Sequence, residues 1–216
     1  NGFDYLHPEL FPNTWKNIDE LPNNGIDDDK NGYVDDVWGW DFSIVDRNED
    51  GDILDTVDIM GDNNPRPDIG KKSDLSLAPT VIHHGSIVAG IIGAKGNNGI
   101  DGTGINWDVQ LMNIRLIGNS GFAEQTSIAE SIYYAVDNGA DVINFSLVTQ
   151  DLGQKAVDAL KYAYQNGVVV VSAAGNDRVD LEDFPYYPIC ADENSATQEI
   201  FGVSALREGR AFPGFS

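Results

Sequence analysis

Residues 81–90, VIHHGSIVAG, and residues 168–177, VVVVSAAGND, decide the fold and the chemistry expected of this chain. The first stretch places His84 at the start of a helix of small residues. The second ends an apolar strand at a glycine that is followed by Asn176. A histidine that moves a proton and an amide that stabilises an oxyanion are two of the groups that acyl transfer requires. The sequence offers no clear nucleophilic serine and no clear aspartate partner for His84.

Strand-like and helix-like runs alternate outward from these two stretches. Ser127 and Glu130 have the spacing of a capping box, and Gly139 suits the end of the same helix. The continuous apolar run 168–171 predicts a strand buried on both faces. Strands separated by helices predict an α/β fold, with a parallel sheet covered on both sides. The predicted strands are 111–116, 141–146, 168–171 and 200–206, and the predicted helices are 127–138 and 155–165.

Composition and charge exclude several classes of function. The 216 residues fit one domain, and the formal net charge is −22. That charge argues against a nucleic-acid partner and against an anionic membrane surface, because both would repel the chain. No apolar run of about 18 residues exists, so no transmembrane helix is predicted. The single cysteine, Cys190, excludes an internal disulfide. We interpret it as a half-buried structural thiol, with a disulfide to a residue outside the chain as the alternative.

Acidic residues crowd into residues 27–68, which indicates bound cations rather than only a solvated face. One run matches positions one, three, five, six, seven and nine of a calcium loop: Asp27, Asp29, Asn31, Gly32, Tyr33 and Asp35. Position twelve is Trp38 instead of glutamate, and Asp36 is the alternative carboxylate. The competing interpretation is a solvated acidic turn. A second run, from Asp46 to Asp52, has similar spacing but apolar later positions.

Five segments in the same order resemble the subtilisin-like serine proteases, the subtilases. They are residues 2–10 (GFDYLHPEL), 84–90 (HGSIVAG, near the catalytic-histidine motif HGTHVAG), 97–107 (the calcium loop and the turn after it), 139–147 (GADVINFSL, the cleft strand) and 173–176 (AAGN, the oxyanion motif). The resemblance covers nearly the whole chain. It implies a subtilisin-like α/β fold, with a mostly parallel central sheet and helices on both faces, incomplete at both ends.

The two ends of the chain resemble interior parts of that family's catalytic domain. Asn1-Gly2 occupies the place of the pair that follows the catalytic aspartate, and residues 212–216 resemble the segment before the serine motif GTSMA. We therefore expect residues 1–216 to be part of a catalytic domain that holds one triad member of three. Residues 1–80 would form an acidic, calcium-loop-rich region, and residues 81–216 the parallel α/β core.

The resemblance implies a role for each candidate site residue. His84 would act as general base and then general acid, and Asn176 would stabilise the oxyanion. The substrate would lie between Ser146-Leu147-Val148 and Ser172-Ala173-Ala174-Gly175, with Gly121-Phe122-Ala123 along its other edge. Small residues at the pocket mouth predict a broad or apolar preference for the residue before the cleaved bond, called P1. The alternatives are a structural histidine at position 84 and a left-handed turn at Gly175-Asn176.

The resemblance also implies a family calcium site. Its ligands would be the Glu9 carboxylate, the Asn98 side-chain oxygen and the backbone carbonyls of Gly96, Ile100 and Gly102. In the family such a cation stabilises the fold and takes no part in the chemistry.

Four positions depart from the family pattern. His83 stands where glycine is usual, Ser86 replaces threonine, Ile87 replaces the second histidine of HGTHVAG, and Val148 replaces a glycine after Ser-Leu.

Besides a protease, two alternative functions therefore remain open: a catalytically dead, peptide-binding subtilase, and a calcium-stabilised structural or adhesion domain. The main expectation is a secreted, calcium-stabilised serine endopeptidase that acts on polypeptide substrates through an acyl-enzyme. A propeptide would lie outside these residues.

Overall fold

A computed structural model of the chain describes residues 1–45, 59–67, 83–100, 102–118, 123, 125–192, 195 and 197–206. The described chain divides into two compact units, Asn1–Ser127 and Ile128–Ser216. Each unit contains a three-stranded sheet. The α/β class expected from the sequence is confirmed.

The first unit holds strands β1 (Gly39–Val45), β2 (Ile59–Asp62) and β3 (Asn113–Arg115) in the order β2-β1-β3. β3 runs parallel to β1, with Gly39 opposite Asn113. β2 runs antiparallel to β1 and lies outside the strands that the sequence predicted. A 3₁₀ helix (Phe11–Asn13) and helix α1 (His84–Gly93) complete the unit's regular elements among the described residues.

The core of the first unit lies beneath α1. Phe3, Leu10, Ala89 and Leu111 form a buried apolar cluster. A β-carbon on Gly93 would collide with side-chain atoms of Val109 and Leu111, so the small-residue face of α1 lets the helix approach closely. The buried Asn113 side chain accepts from the backbone N–H of Phe3 at 2.9 Å and donates to its carbonyl oxygen at 2.8 Å. These two hydrogen bonds hold the N-terminal segment against β3.

The second unit combines a parallel sheet with two helices. Helix α2 (Gln125–Asp137) crosses the boundary between the units and is followed by β4 (Val142–Phe145), α3 (Gln154–Gln165), β5 (Val169–Ala173) and β6 (Ile200–Val203). The strand order is β4-β5-β6, and all pairs are parallel. The apolar faces of both helices are buried, including Ile128, Ile132, Ala156 and Leu160.

The prediction that residues 168–171 are buried on both faces is wrong. Val170 is 0% exposed, whereas its neighbour Val169 is 50% exposed. Because successive side chains of a strand point to opposite faces, α3 covers one face of β5 and leaves the other open in this unit. The exposed side chains of Val142, Val169, Phe201 and Val203 belong to that open face.

The predicted capping box of α2 is also wrong. The helix begins at Gln125, so Ser127 lies inside the first turn, where its side chain is buried. The other end of the helix is as predicted. Gly139 has a φ of +80° and donates its N–H to the Val136 carbonyl at 3.0 Å, while Ala140 donates to Ala135 at 2.9 Å. Paired bonds of this kind close a helix on a left-handed glycine.

None of the helices that the structure describes is long and apolar enough to cross a membrane.

Candidate active site and cation sites

His84 is the first residue of α1, and its position is set by a backbone contact. A β-carbon on Gly85 would overlap the carbonyl oxygen of Gly2. The next residue, Ser86, accepts a hydrogen bond from the Asp4 N–H at 2.9 Å. The N-terminal segment therefore lies directly against the first turn of α1, and the exposed His84 ring stands beside it.

The electrostatic environment favours the neutral form of His84. Partial burial of the ring lowers its pKa below the usual 6.5, and the positive charge of the Asn1 amino group lowers it further. The pKa of that amino group falls to about 6, chiefly through burial and then through Arg115. A neutral imidazole can accept a proton, which is what a general base must do.

A buried ion pair lies near the Asn1 amino group. Arg115 Nη1 is 3.0 Å from Asp41 Oδ2, and the two side chains are 7% and 5% exposed. Asp41 also accepts from the Ser43 N–H at 2.8 Å. Burial nevertheless raises the pKa of Asp41 to about 6, outweighing the opposite effect of Arg115. Sequence reasoning missed this pair, although an arginine inside the apolar run 111–116 was a visible signal.

The second unit brings two predicted substrate segments to one edge of its sheet. β4 and β5 are parallel neighbours, with Phe145 opposite Ser172, so residues 146–148 follow the carboxyl end of β4 and residues 174–176 follow that of β5. Ligands of open α/β sheets bind outside this edge. Asn176 is exposed and follows Gly175, whose φ is +93°.

The structure describes some of the remaining predicted cleft residues. Ser146 is exposed, and its hydroxyl accepts from Asn144 Nδ2 at 2.8 Å. Ala123 is half-buried, whereas Gly121 and Phe122 lie outside the described residues. Tyr186, which the sequence analysis did not single out, packs against Gly175.

The acidic loop is organised by a residue that lies before it. Glu20 is 2% exposed, and its carboxylate accepts from the N–H groups of Asp28, Asp29 and Asp35 at 2.6, 3.2 and 3.0 Å. Carboxylate oxygens of Glu20, Asp27 and Asp29 lie within 4.8 Å of one another, which could hold a metal ion. Spacing alone did not reveal Glu20, because it precedes the first loop aspartate.

The predicted loop ligands have different surroundings. Asp36 is fully buried and accepts from the side-chain amides of Asn17 and Asn31 at 2.8 and 3.0 Å. Asp35 instead caps a neighbouring turn, accepting from the N–H groups of Asn24 and Gly25 at 2.9 and 3.0 Å.

The aromatic residues beside the loop pack on one another, so they anchor it. The Tyr33 ring contacts Trp40, while Trp38 at position twelve stacks on Tyr5. The second acidic run, residues 46–52, lies outside the described residues.

Glu9 provides a buried carboxylate that lacks a partner. It is 6% exposed, and neither of its oxygens has a hydrogen bond to any described residue. A β-carbon on Gly102 would be 3.6 Å from Glu9 Oε1. Since an unpaired buried carboxylate is costly, a bound cation is the partner that suits its chemistry.

The loop facing Glu9 can turn oxygen atoms inward. Asn97, Gly99 and Gly102 all have positive φ angles, of 58°, 76° and 102°. The Asn98 side-chain oxygen accepts from the Ile100 N–H at 3.0 Å. Gly96 is held beside the Trp107 ring, where a β-carbon would clash. Calcium prefers carboxylate, amide and carbonyl oxygens, so the donors present fit that ion.

Comparison with known proteins identifies the family. The model of the family described as "Subtilase family" matches residues 1–211. The chain belongs to the subtilase family. It is 30% identical over 183 residues to a thermophilic serine proteinase of Bacillus sp. (strain AK1), covering 81% of this chain and 44% of that protein. It is 29% identical over 177 residues to subtilisin-like protease 1 of Plasmodium berghei (strain Anka), covering 82% of this chain and 25% of that protein.

Solved structures support the same fold. The S41 psychrophilic protease has a TM-score of 0.59 at 23% sequence identity, covering 96% of this subtilase chain and 51% of that one. Sphericase has a TM-score of 0.51 at 28% identity, covering 60% and 42%. The chain thus spans about half the length of these relatives, or less.

Proposed function

We propose that the parent protein of this subtilase is a serine endopeptidase that hydrolyses peptide bonds through an acyl-enzyme. The observation that carries the proposal is the position of His84, an exposed imidazole at the first residue of α1 whose pKa is lowered chiefly by burial. As general base it would take the proton of a serine hydroxyl, and as general acid it would return that proton to the leaving amine.

The other two members of the triad would come from parts of the parent protein outside these 216 residues. The amino group of Asn1 is close enough to depress the pKa of His84. The Gly2 carbonyl also lies against Gly85, so the N-terminal segment passes beside the first turn of α1, where the proposed aspartate would precede it. An aspartate there would orient the ring and stabilise its protonated form.

The second unit would bind the peptide and stabilise the transition state. Asn176 is exposed beyond the carboxyl end of β5, where its amide could donate to an oxyanion. Residues 146–148 would pair with an extended substrate by strand addition, with residues 172–175 opposite. Gly121, Phe122 and Ala123 would contact the other edge of the peptide.

Calcium would stabilise the fold at two places. In the acidic loop, Glu20, Asp27 and Asp29 would supply carboxylates. The other ligands predicted from the sequence would add further oxygens: Asn31, Tyr33, Asp35 and Asp36. At the other site, Glu9 would pair with Asn98 and the carbonyls of Gly96, Ile100 and Gly102. A cation that binds only the folded state stabilises it by mass action.

The partners proposed for the parent are polypeptide substrates and a propeptide. We also propose an extracellular location. A relative named minor extracellular protease Epr, from Bacillus subtilis (strain 168), is 39% identical over 134 residues, covering 62% of this chain and 19% of that protein.

Labelling of the full-length protein with a fluorophosphonate probe, in calcium, tests the proposal. The probe reacts with an activated serine, so wild type should be labelled and His84→Ala should not. His7→Gln is the matched control, because glutamine can keep the acceptor that His7 offers to the Glu9 N–H at 3.2 Å. Absence of labelling by a folded, calcium-loaded protein would contradict the protease. It would favour the peptide-binding or structural alternative.

A further inference from the structure

We propose that Tyr186 closes the P1 pocket of this protein, so that only residues with small side chains, such as glycine, alanine and serine, are accepted before the cleaved bond. This inference rests on the proposed substrate cleft between residues 146–148 and 172–175. It adds a residue outside both segments and narrows the broad or apolar preference that the sequence predicted.

A short backbone pairing holds Tyr186 beside the first of these segments. Thr149 and Tyr187 form an antiparallel bridge, with N–H···O distances of 2.9 and 2.8 Å. Since side chains alternate along extended strands, Val148 and Tyr186 flank the bridge and point to the same side. The tyrosine ring is thereby directed toward the segment that follows β5.

The ring lies directly against Gly175. A β-carbon built on Gly175 would be 2.9 and 3.0 Å from Cδ2 and Cε2 of Tyr186, and 3.9 Å from Cγ1 of Val148. Tyr186 and Val148 therefore converge on the glycine that forms the opposite wall. An aromatic ring and a β-branched side chain therefore lie beside Gly175, at the place where the proposed pocket would open.

The far end of the ring is tethered as well. The Tyr186 hydroxyl donates to Asp177 Oδ2 at 2.8 Å, and this bond raises the pKa of the phenol. Asp177 directly follows Asn176, the proposed oxyanion donor. The hydrogen bond to Asp177 favours the orientation in which the ring lies against Gly175, where it would obstruct a large P1 side chain.

The test compares peptides that differ only at P1, alanine or phenylalanine, with the calcium-loaded full-length protein. For wild type, kcat/KM should favour alanine by at least about tenfold, the scale on which pockets discriminate by size. Tyr186→Gly should reduce that ratio at least about tenfold. Tyr186→Phe is the matched control, because it keeps the ring that fills the space and removes only the bond to Asp177. It should keep most of the preference for alanine, and any loss measures the contribution of that bond. If Tyr186→Gly does not fold, Tyr186→Ala removes the ring while retaining a β-carbon.

Binding of the same peptides, cut to end at P1, separates this inference from the proposed function. Fluorescence anisotropy reports their Kd without turnover. If wild type hydrolyses nothing yet binds the alanine peptide more tightly, and Tyr186→Gly removes the difference, the protease proposal fails and the pocket inference stands. A wild-type preference for phenylalanine, or an unchanged ratio in folded Tyr186→Gly, overturns the inference alone. Absence of both turnover and binding overturns both.

Discussion

Gly85 lies so close to Gly2 that a methyl group on its α-carbon would overlap the Gly2 carbonyl oxygen. The first turn of α1 therefore rests on the backbone of the N-terminal segment, and the Asp4 N–H bond to Ser86 locks the two together. This contact places His84 through main-chain atoms, which leaves the imidazole free to face outward.

Substituting Gly85 should destabilise the fold, because the obstructing atom belongs to the backbone and cannot rotate away. We expect Gly85→Ala to lower the free energy of unfolding by about 1–3 kcal/mol, the usual cost of overpacking. Gly90→Ala is the control within the same helix. Nothing lies within 4 Å of its β-carbon position, so replacing this interior glycine should stabilise by about 0.5–1 kcal/mol. Urea unfolding measures both, and equal effects would contradict the packing argument.

The pKa of His84 should lie below 6.5 in the 216-residue chain, because both burial and the Asn1 ammonium oppose protonation of the ring. Acetylation of Asn1 removes that charge and should raise the pKa of His84 without restoring it fully, since burial is the larger cause. NMR titration of the ring protons measures this. By linkage, the stability that His84 contributes is present above its unfolded pKa and is lost as pH falls through the lowered folded value. A pKa that does not move on acetylation would mean that Asn1 is not beside the ring.

Removal of Arg115 should be costly, because it leaves Asp41 buried without its cation. We expect Arg115→Met to cost about 3–5 kcal/mol, as for other broken buried pairs. The contrasting pair is Lys95 with Asp108, whose aspartate is 87% exposed. Lys95→Met should cost no more than about 1 kcal/mol. Thermal and urea unfolding measure the stability of the two variants. Similar decreases in unfolding free energy would show that burial does not make the Asp41–Arg115 pair more important to stability than an exposed pair.

Glu20→Gln should weaken cation binding in the acidic loop, because it removes one charge from the cluster with Asp27 and Asp29. Terbium luminescence, sensitised by nearby aromatic rings such as Tyr33, reports occupancy. We expect the affinity to fall by about tenfold or more, the range seen when groups around a metal are changed. Asp19→Asn changes an exposed carboxylate next to Glu20 and should leave the affinity nearly unchanged. Equal affinities in both variants would exclude Glu20 as a ligand.

Glu9→Gln should raise the melting temperature in the absence of calcium and reduce the further rise that calcium produces. Without calcium, removal of an unpartnered buried charge should raise the melting temperature. With calcium, the variant should gain less stability from the ion than wild type does. Differential scanning fluorimetry with calcium and with chelator measures both. Glu130→Gln, on the exposed face of α2, is the control and should respond to calcium as wild type does.

Two helix ends and one buried helix face were predicted correctly, because they depend on residues close together in sequence. The start of α1 at His84 and the end of α2 before Gly139 follow from residue types that lie close together in sequence, and the structure has both. The helical face that contains Ile128 and Ile132 is buried as its spacing indicated. The parallel pairing of β4 and β5 likewise followed from the helix between them. β6 also pairs in parallel with β5, although no helix is described between these two strands.

Features that depend on distant residues were not predictable from local patterns. Whether Val169 is covered depends on what packs over β5, and an apolar run cannot show that. Glu20 and Tyr186 act through contacts with segments elsewhere in the chain, and neither belongs to a recognisable motif. The antiparallel β2 lies in a polar, turn-rich region, where a strand has no continuous apolar signal.

The open face of the second sheet has a consequence for how the chain behaves in solution. Val142, Val169, Phe201 and Val203 present apolar surface there, and exposed apolar patches of this kind promote self-association. The net charge of −22 supplies long-range repulsion between copies at neutral pH. That repulsion vanishes near the isoelectric point of about 4.1 and is screened by salt. The protein should therefore be most soluble in mildly alkaline buffers of low ionic strength. Lowering the pH or raising the salt concentration should increase turbidity under conditions where the protein is still folded.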